Sequence, residues 1–212
     1  INSEYAHLLN GGKSLILRTR QDGTWDTIHW TDFKRLLQNW PRVRLTEKET
    51  MHAADFWLAH PDRLDYSGGI VFEPGELRTK NAYNLFKGWA YEPREGGRCD
   101  LLLDHIRKNV ACGDSAIEKW VLGFFAQILQ FPDRKIGTAL ALRGRQGTGK
   151  SKVGECFGKL MGTHYQTASD RRYLVGTFNA HLEETLLFQL EEASAQGDKS
   201  AAGAPEALTP GK

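Results

Sequence analysis

The chain has 212 residues, 40% of them hydrophobic and 25% charged, with six Trp and ten Phe, so it carries enough apolar material for a buried core and is not a disordered segment. A formal net charge of +2 gives little support for nucleic-acid binding by bulk electrostatics and neither proves nor excludes DNA; such a contact needs a local basic stripe or an oligomer. The longest uncharged apolar stretch, residues 120–132, is too short to cross a bilayer and no signal-peptide pattern opens the chain, which predicts a soluble, cytoplasmic protein with no membrane partner.

The length suits a core domain with a smaller accessory region. The expected division is a mixed α+β region over residues 1–97, a helical segment over 98–132 and an α/β core over 133–212. Ile1 in place of Met, and an Ala/Gly/Pro-rich end, predict that both ends are cut, the C-terminal end above all. Cys99, Cys112 and Cys156 are odd in number and far apart, without a C-x-x-C pair; reduced thiols, buried or partly buried, are expected.

In chain order, residues 14–19 and 25–30 are β-rich runs separated by Asp22-Gly23, which reads as a hairpin. A short helix is expected over 32–39 with Thr31 as its cap and Pro41 closing it. Thr46-Glu47-Lys48-Glu49 has capping-box form and Met51, Ala54 and Leu58 recur at helical spacing, predicting a second helix over 47–59. Gly68-Gly69 leads into a short strand over 70–72, and residues 74–98 lack a sustained period and read as an irregular layer. Beyond Gly97, Leu102, Ile106 and Val110 form one helical stripe. Ile117, Trp120, Val121, Phe124, Phe125 and Ile128 form a stronger one, expected in the core, with Ser115 and Glu118 as its capping box and Phe131-Pro132 as its end.

Residues 136–142 are an apolar run and 150–161 a helix-like stretch, and between them lies Gly144-Arg145-Gln146-Gly147-Thr148-Gly149-Lys150-Ser151. A strand feeding a glycine-rich turn into a helix is the context in which this pattern binds phosphate: backbone N–H groups and the helix's positive end converge on one anion. The motif predicts that Lys150 reaches the β- and γ-phosphates of a nucleoside triphosphate, that Ser151 puts its hydroxyl on Mg²⁺, and that Gly144, Gly147 and Gly149 let the backbone approach the phosphate oxygens. The structural alternative is a glycine-rich loop that happens to end in Lys-Ser.

Hydrolysis also needs carboxylates at the end of a neighbouring strand, one to help hold Mg²⁺ and one to activate water. Leu186-Leu187-Phe188-Gln189-Leu190-Glu191-Glu192 offers an apolar run ending in two acids, with Glu191 assisting the metal and Glu192 as base. The competing reading is a solvated pair of glutamates closing an amphipathic helix, since Gln189 interrupts the run.

With both acids assigned, the chain resembles the superfamily 3 helicase domain of phage and mobile-element primase-helicase proteins, a compact AAA+-like ATPase. Besides the phosphate loop, the resemblance rests on Trp57 to Pro61, Gly69 to Gly75, Tyr83 to Trp89, Gln130-Phe131-Pro132, Gly176 to Leu182 and Leu190-Glu191-Glu192-Ala193, in that order. It implies an α/β P-loop NTPase domain with a parallel sheet beginning near Ile136, preceded by the helical segment and the mixed α+β region. It further implies ATP and Mg²⁺ as cofactors, a ring, usually a hexamer, moving on single-stranded or forked DNA, and a primase upstream or in trans. If phage-encoded, the protein acts in the host-cell cytoplasm. Gly144, Gly147, Gly149, Lys150 and Ser151 carry over as the nucleotide and metal site, with Glu191 and Glu192 as the acidic motif; many relatives have Asp in the place of Glu191. Gly197-Asp198-Lys199 is similar to the start of the family's DNA-contacting segment, which makes Lys199 either a candidate contact or an ordinary surface lysine. The sensor Asn and the arginine offered to a neighbouring subunit are not identified.

Arg171 and Arg172 form a local basic pair that either contacts phosphate or is simply solvated. No two of the seven histidines sit at ligand spacing, so a histidine-held catalytic metal is not expected. Two other classes stay open: a truncated or inactive nucleotide- and DNA-binding replication module, and a small-molecule P-loop kinase.

Overall fold

The computed structural model describes residues 1–76, 79–169 and 182–191. The chain divides into two compact units, residues 1–71 with 78–85 and residues 72–77 with 86–212, so the division falls upstream of Gly97.

The first unit is built on a sheet of order β3-β2-β1-β6. Strands β1 (Tyr5–Asn10) and β2 (Lys13–Thr19) form an antiparallel hairpin whose last pair, Asn10 and Lys13, flanks a two-residue Gly11-Gly12 turn. The expected hairpin of β2 with β3 (Trp25–Ile28) is present, with Arg18 opposite Asp26. Trp30, expected in that strand, instead opens helix α1 (Trp30–Leu36). Thr31 is therefore in the first turn and not the cap; the cap is His29, whose Nδ1 accepts the Thr31 N–H at 3.4 Å.

The expected helix over 47–59 is shorter than predicted. Leu45 and Thr46 both donate backbone N–H groups to the Glu49 carbonyl, so the capping-box pattern closes a hairpin between β4 (Val43–Arg44) and β5 (Thr50–Met51). Helix α2 (Ala53–Ala59) starts after it, capped by His52 Nδ1 accepting from Ala54 N at 3.3 Å. Strand β6 (Asp65–Tyr66) runs parallel to β1, and β7 (Ile70–Val71) pairs in parallel with β8 (Tyr83–Asn84), a strand inside the stretch expected to be irregular. Phe33 and Leu37 from the α1 region and Ala54 and Trp57 from α2 pack on Tyr5 and Ile16 of the sheet. Phe33 is completely buried, worth about 1.5–3 kcal/mol of transfer free energy.

In the second unit, α3 (Asp100–His105) runs into a π-helical turn (Ile106–Val110), followed by α4 (Ser115–Gln130), α5 (Lys150–Met161), a 3₁₀ turn (Gly162–His164), β9 (Tyr165–Ala168) and β10 (Leu187–Leu190). Asp114, not Ser115, caps α4: its Oδ1 accepts from Ala116 N at 2.7 Å and Ile117 N at 3.2 Å. Glu118 instead accepts from Arg107 Nε at 3.1 Å. The aromatic stripe of α4 divides. Val121, Phe125 and Ile128 are buried, whereas Ile117 and Trp120 keep 47% and 49% of their surface and lie outside the core. Phe125 stacks on Phe157 of α5 at 3.9 Å between ring centroids, and Ile106, Val121 and Val153 complete this core.

Two further expectations are corrected. Residues 136–142 join no ladder among the described residues: Gly137 takes φ +66°, turning the backbone out of the extended path at the second residue of the run, and Ile136, Leu140 and Leu142 are only half-buried. The parallel pairing observed in this unit is that of β9 with β10, Leu187 opposite Tyr165 through Leu190 opposite Ala168. The thiols of Cys99, Cys112 and Cys156 are unpaired but exposed: Cys99 precedes α3, Cys112 sits in the turn before α4 and Cys156 is on the solvent side of α5. No helix among the described residues is long and apolar enough to cross a membrane.

Candidate functional site

The glycine-rich loop ends where α5 begins. Gly147 and Gly149 hold φ of +79° and +78°, a region a side chain enters only with strain, and Gly149 is the residue that caps α5. Left-handed residues alternating with others in this way turn backbone N–H groups to one side, and the first turn of a twelve-residue helix adds its own unpaired N–H groups and partial positive charge. The loop is therefore suited to an anion. Lys150 Nζ lies over the same loop, donating to Gly144 O at 3.0 Å and Arg145 O at 2.7 Å and reaching Thr148 Oγ1 at 3.4 Å. Thr148 Oγ1 donates to Arg145 O at 2.9 Å, closing the turn, and Arg145 and Gln146 are exposed at its tip.

Strand β10 brings an acid to this helix end. The β9–β10 pairing continues one residue past the strand, with Glu191 N donating to Ala168 O at 2.8 Å, and so holds the Glu191 backbone. Its carboxylate accepts the Ser151 hydroxyl at 2.6 Å through Oε2. Of the two readings of this apolar run, the strand is the one formed, over Leu187–Leu190.

Gln189, which in the sequence only interrupts an apolar run, connects the parts. Its Nε2 donates to Ser151 O at 3.2 Å and to Glu191 Oε1, and its Oε1 accepts the Tyr165 hydroxyl at 2.8 Å. Residues two apart on a strand share a face, which is why Gln189 and Glu191 meet. The room comes from α5: a Cβ on Gly154 would overlap the Gln189 amide, and one on Gly158 would overlap the Tyr165 ring. Burial, then the charges of Glu155 and Glu191, push the Tyr165 hydroxyl up to about 12, so near neutrality it stays protonated and donates.

His105 is a second residue that sequence patterning does not single out. Its Nε2 lies 3.1 Å from Gly149 O, and its Nδ1 lies 2.9 Å from Asn109 Nδ2. On a helix with a polar outer face a histidine gives no signal; its role depends on what α3 packs against.

The donor set fits Mg²⁺. Ser151 and Glu191 offer hard oxygens already in contact, and this ion takes one or two protein oxygens and fills its octahedron with phosphate oxygens and water. It needs no dense ligand cage, and among the described residues no group of three or more His, Cys, Asp or Glu forms one. The structure brings together Gly144 to Ser151 and Glu191; Glu192, Arg171, Arg172 and Lys199 lie outside the described residues, as do residues 176–181 of the family-like segments.

A family model described as a family of unknown function (DUF5906) matches residues 142–209, a span that contains both the loop and Glu191. No curated protein matches the chain. No solved structure matches it.

Proposed function

We propose that this chain is the nucleotide-binding part of an ATP-dependent DNA helicase of superfamily 3 type, an α/β P-loop ATPase that works as a ring on single-stranded DNA in phage or mobile-element replication. The observation that carries the nucleotide reading is the 2.6 Å hydrogen bond from Ser151 to Glu191, which joins the helix-capping glycine loop to an acid at a strand end forty residues away. A loop that merely happened to end in Lys-Ser has no reason to meet a carboxylate there. The helicase assignment rests on the sequence resemblance.

On this reading the loop's backbone N–H groups and the start of α5 bind the phosphates. Lys150 exchanges Gly144 O and Arg145 O for phosphate oxygens, a short movement for a flexible ammonium already over the loop. Ser151 and Glu191 hold Mg²⁺, which neutralises charge on the transferred phosphoryl group when bound. Gln189 keeps one Glu191 oxygen occupied and leaves the other toward Ser151. Glu192 is the candidate base for the attacking water, and Lys199, Arg171 and Arg172 are candidate DNA contacts.

The test is ATP hydrolysis by the full chain with and without single-stranded DNA. Stimulated turnover that Lys150→Ala abolishes supports the proposal, and turnover indifferent to both changes sinks it. Tight binding without turnover points instead to a non-enzymatic replication module, and phosphate transfer to a small molecule without DNA stimulation to a kinase.

A further inference from the structure

We propose that His105, oriented by Asn109, is a positioning residue for the phosphate-binding face of the loop, acting through the Gly149 carbonyl; this rests on the nucleotide reading above. Hydrogen-bonding capacity assigns the protons. Gly149 O can only accept, so His105 Nε2, at 3.1 Å, carries the hydrogen. Nδ1 is then the acceptor of the neutral ring, and it faces the amide nitrogen of Asn109 at 2.9 Å, a donor. One tautomer satisfies both bonds, and Asn109 selects it.

The bond matters because a peptide is planar and trans, so the Gly149 carbonyl and the Lys150 N–H point in opposite directions. Holding that carbonyl on the α3 side aims the Lys150 N–H toward the loop, where an anion collects its donors. The same carbonyl also accepts Lys152 N at 3.1 Å, the first bond of α5, so the imidazole occupies its second lone pair and sets the tilt of the peptide plane. The approach is close: a Cβ on Gly149 would stand 2.7 Å from His105 Cε1, so position 149 excludes a side chain through this contact as well as through its φ.

His105 immediately precedes, and Asn109 lies within, an uncommon piece of backbone. Ala111 N reaches back to Ile106 O at 2.8 Å, closing the π-helical turn, and such turns are frequent at functional sites. The buried Ile106 beside His105 belongs to the same core as Val153 of α5, so the backbone that carries the imidazole is held by packing on the helix it adjusts.

The experiment measures binding of ATP and of inorganic pyrophosphate to the full chain, by calorimetry with Mg²⁺. His105→Ala is expected to weaken both ligands by the same factor, on the order of tenfold, as loss of an orienting partner does elsewhere. His105→Gln, whose amide nitrogen takes the place of Nε2, is expected to recover most of that loss, and Asn109→Ala to produce a smaller loss for both ligands. Equal weakening by His105→Ala and His105→Gln, or weakening of ATP without pyrophosphate, overturns the proposal. Lys150→Ala keeps the two ideas apart. If it abolishes binding while His105→Ala leaves it untouched, positioning by His105 is wrong; if Lys150→Ala itself has no effect, the nucleotide reading is wrong. Where His105→Ala does not fold by circular dichroism, the Gln and Asn109 variants decide, and wild-type affinity in Asn109→Ala then counts against the proposal.

Discussion

Ser151 and Glu191 are forty residues apart and meet through a 2.6 Å hydrogen bond, the hydroxyl from the first turn of α5 and the carboxylate from the end of β10. A hydroxyl paired this closely to a carboxylate presents two hard oxygens to one point, so the pair is expected to matter only when Mg²⁺ accompanies the nucleotide. Ser151→Ala and Glu191→Gln should each weaken ATP binding by about 10–100-fold in Mg²⁺ and by far less in excess chelator. Titration of a fluorescent ATP analogue under both conditions checks this. Equal losses in both would mean that the pair merely holds α5 against β10.

Gly154 tests the support behind Glu191. In an exposed helix Gly→Ala gains about 1 kcal/mol of propensity. Here the new methyl would run into the Gln189 amide, which is bonded to Tyr165, Ser151 and Glu191, and overpacking of this kind costs about 1–3 kcal/mol. The clash should win, so Gly154→Ala lowers the urea midpoint and weakens Mg²⁺-dependent ATP binding together. A variant more stable than the parent would show that Gln189 moves aside freely.

What the sequence made legible followed from local chemistry. Gly147-Thr148-Gly149-Lys150-Ser151 announces a turn into a helix because only glycine enters that backbone region cheaply, and the β2–β3 hairpin follows from β-rich runs around Asp22-Gly23. What stayed hidden depended on partners distant in sequence. His29 and His52 cap α1 and α2, a duty that patterning assigns first to Ser, Thr, Asp and Asn, so patterning alone puts the caps at Thr31 and Thr46. The apolar run 136–142 resembles a strand, yet a strand exists only in a ladder, and Gly137 turns the chain away. In sequence Gln189 is only an interruption, because its partners, Tyr165, Ser151 and Glu191, converge only when β9, β10 and α5 pack.

The start of α4 gives a direct comparison of two neighbouring residues. Asp114 Oδ1 accepts two first-turn N–H groups and its charge sits at the positive end of a sixteen-residue helix, whereas Ser115 is already inside that helix. Asp114→Ala should cost about 1 kcal/mol and Ser115→Ala no more than about 0.5 kcal/mol, read by urea denaturation. The reverse ranking would restore Ser115 as the cap.

His164 is fully buried, and its two ring nitrogens tie separate segments: Nε2 accepts Lys87 N at 3.0 Å and Nδ1 lies 2.8 Å from Glu184 O, while the ring stacks on Phe86. Because Nε2 faces a donor, a second ring proton has no acceptor there, and burial holds the ring's affinity for protons below its usual value near 6.5. The folded protein thus binds this proton less readily than the unfolded chain. Where both forms are neutral, above about pH 6.5, the contribution of His164 is fully present, and it is lost as pH falls from there through the lower folded value. Replacing His164 by Gln, which retains an acceptor and a donor, should lower stability at pH 8 but flatten its decline between about pH 6.5 and pH 5. Urea midpoints of both proteins across that range check the sign, and parallel curves would assign the acid sensitivity to other groups.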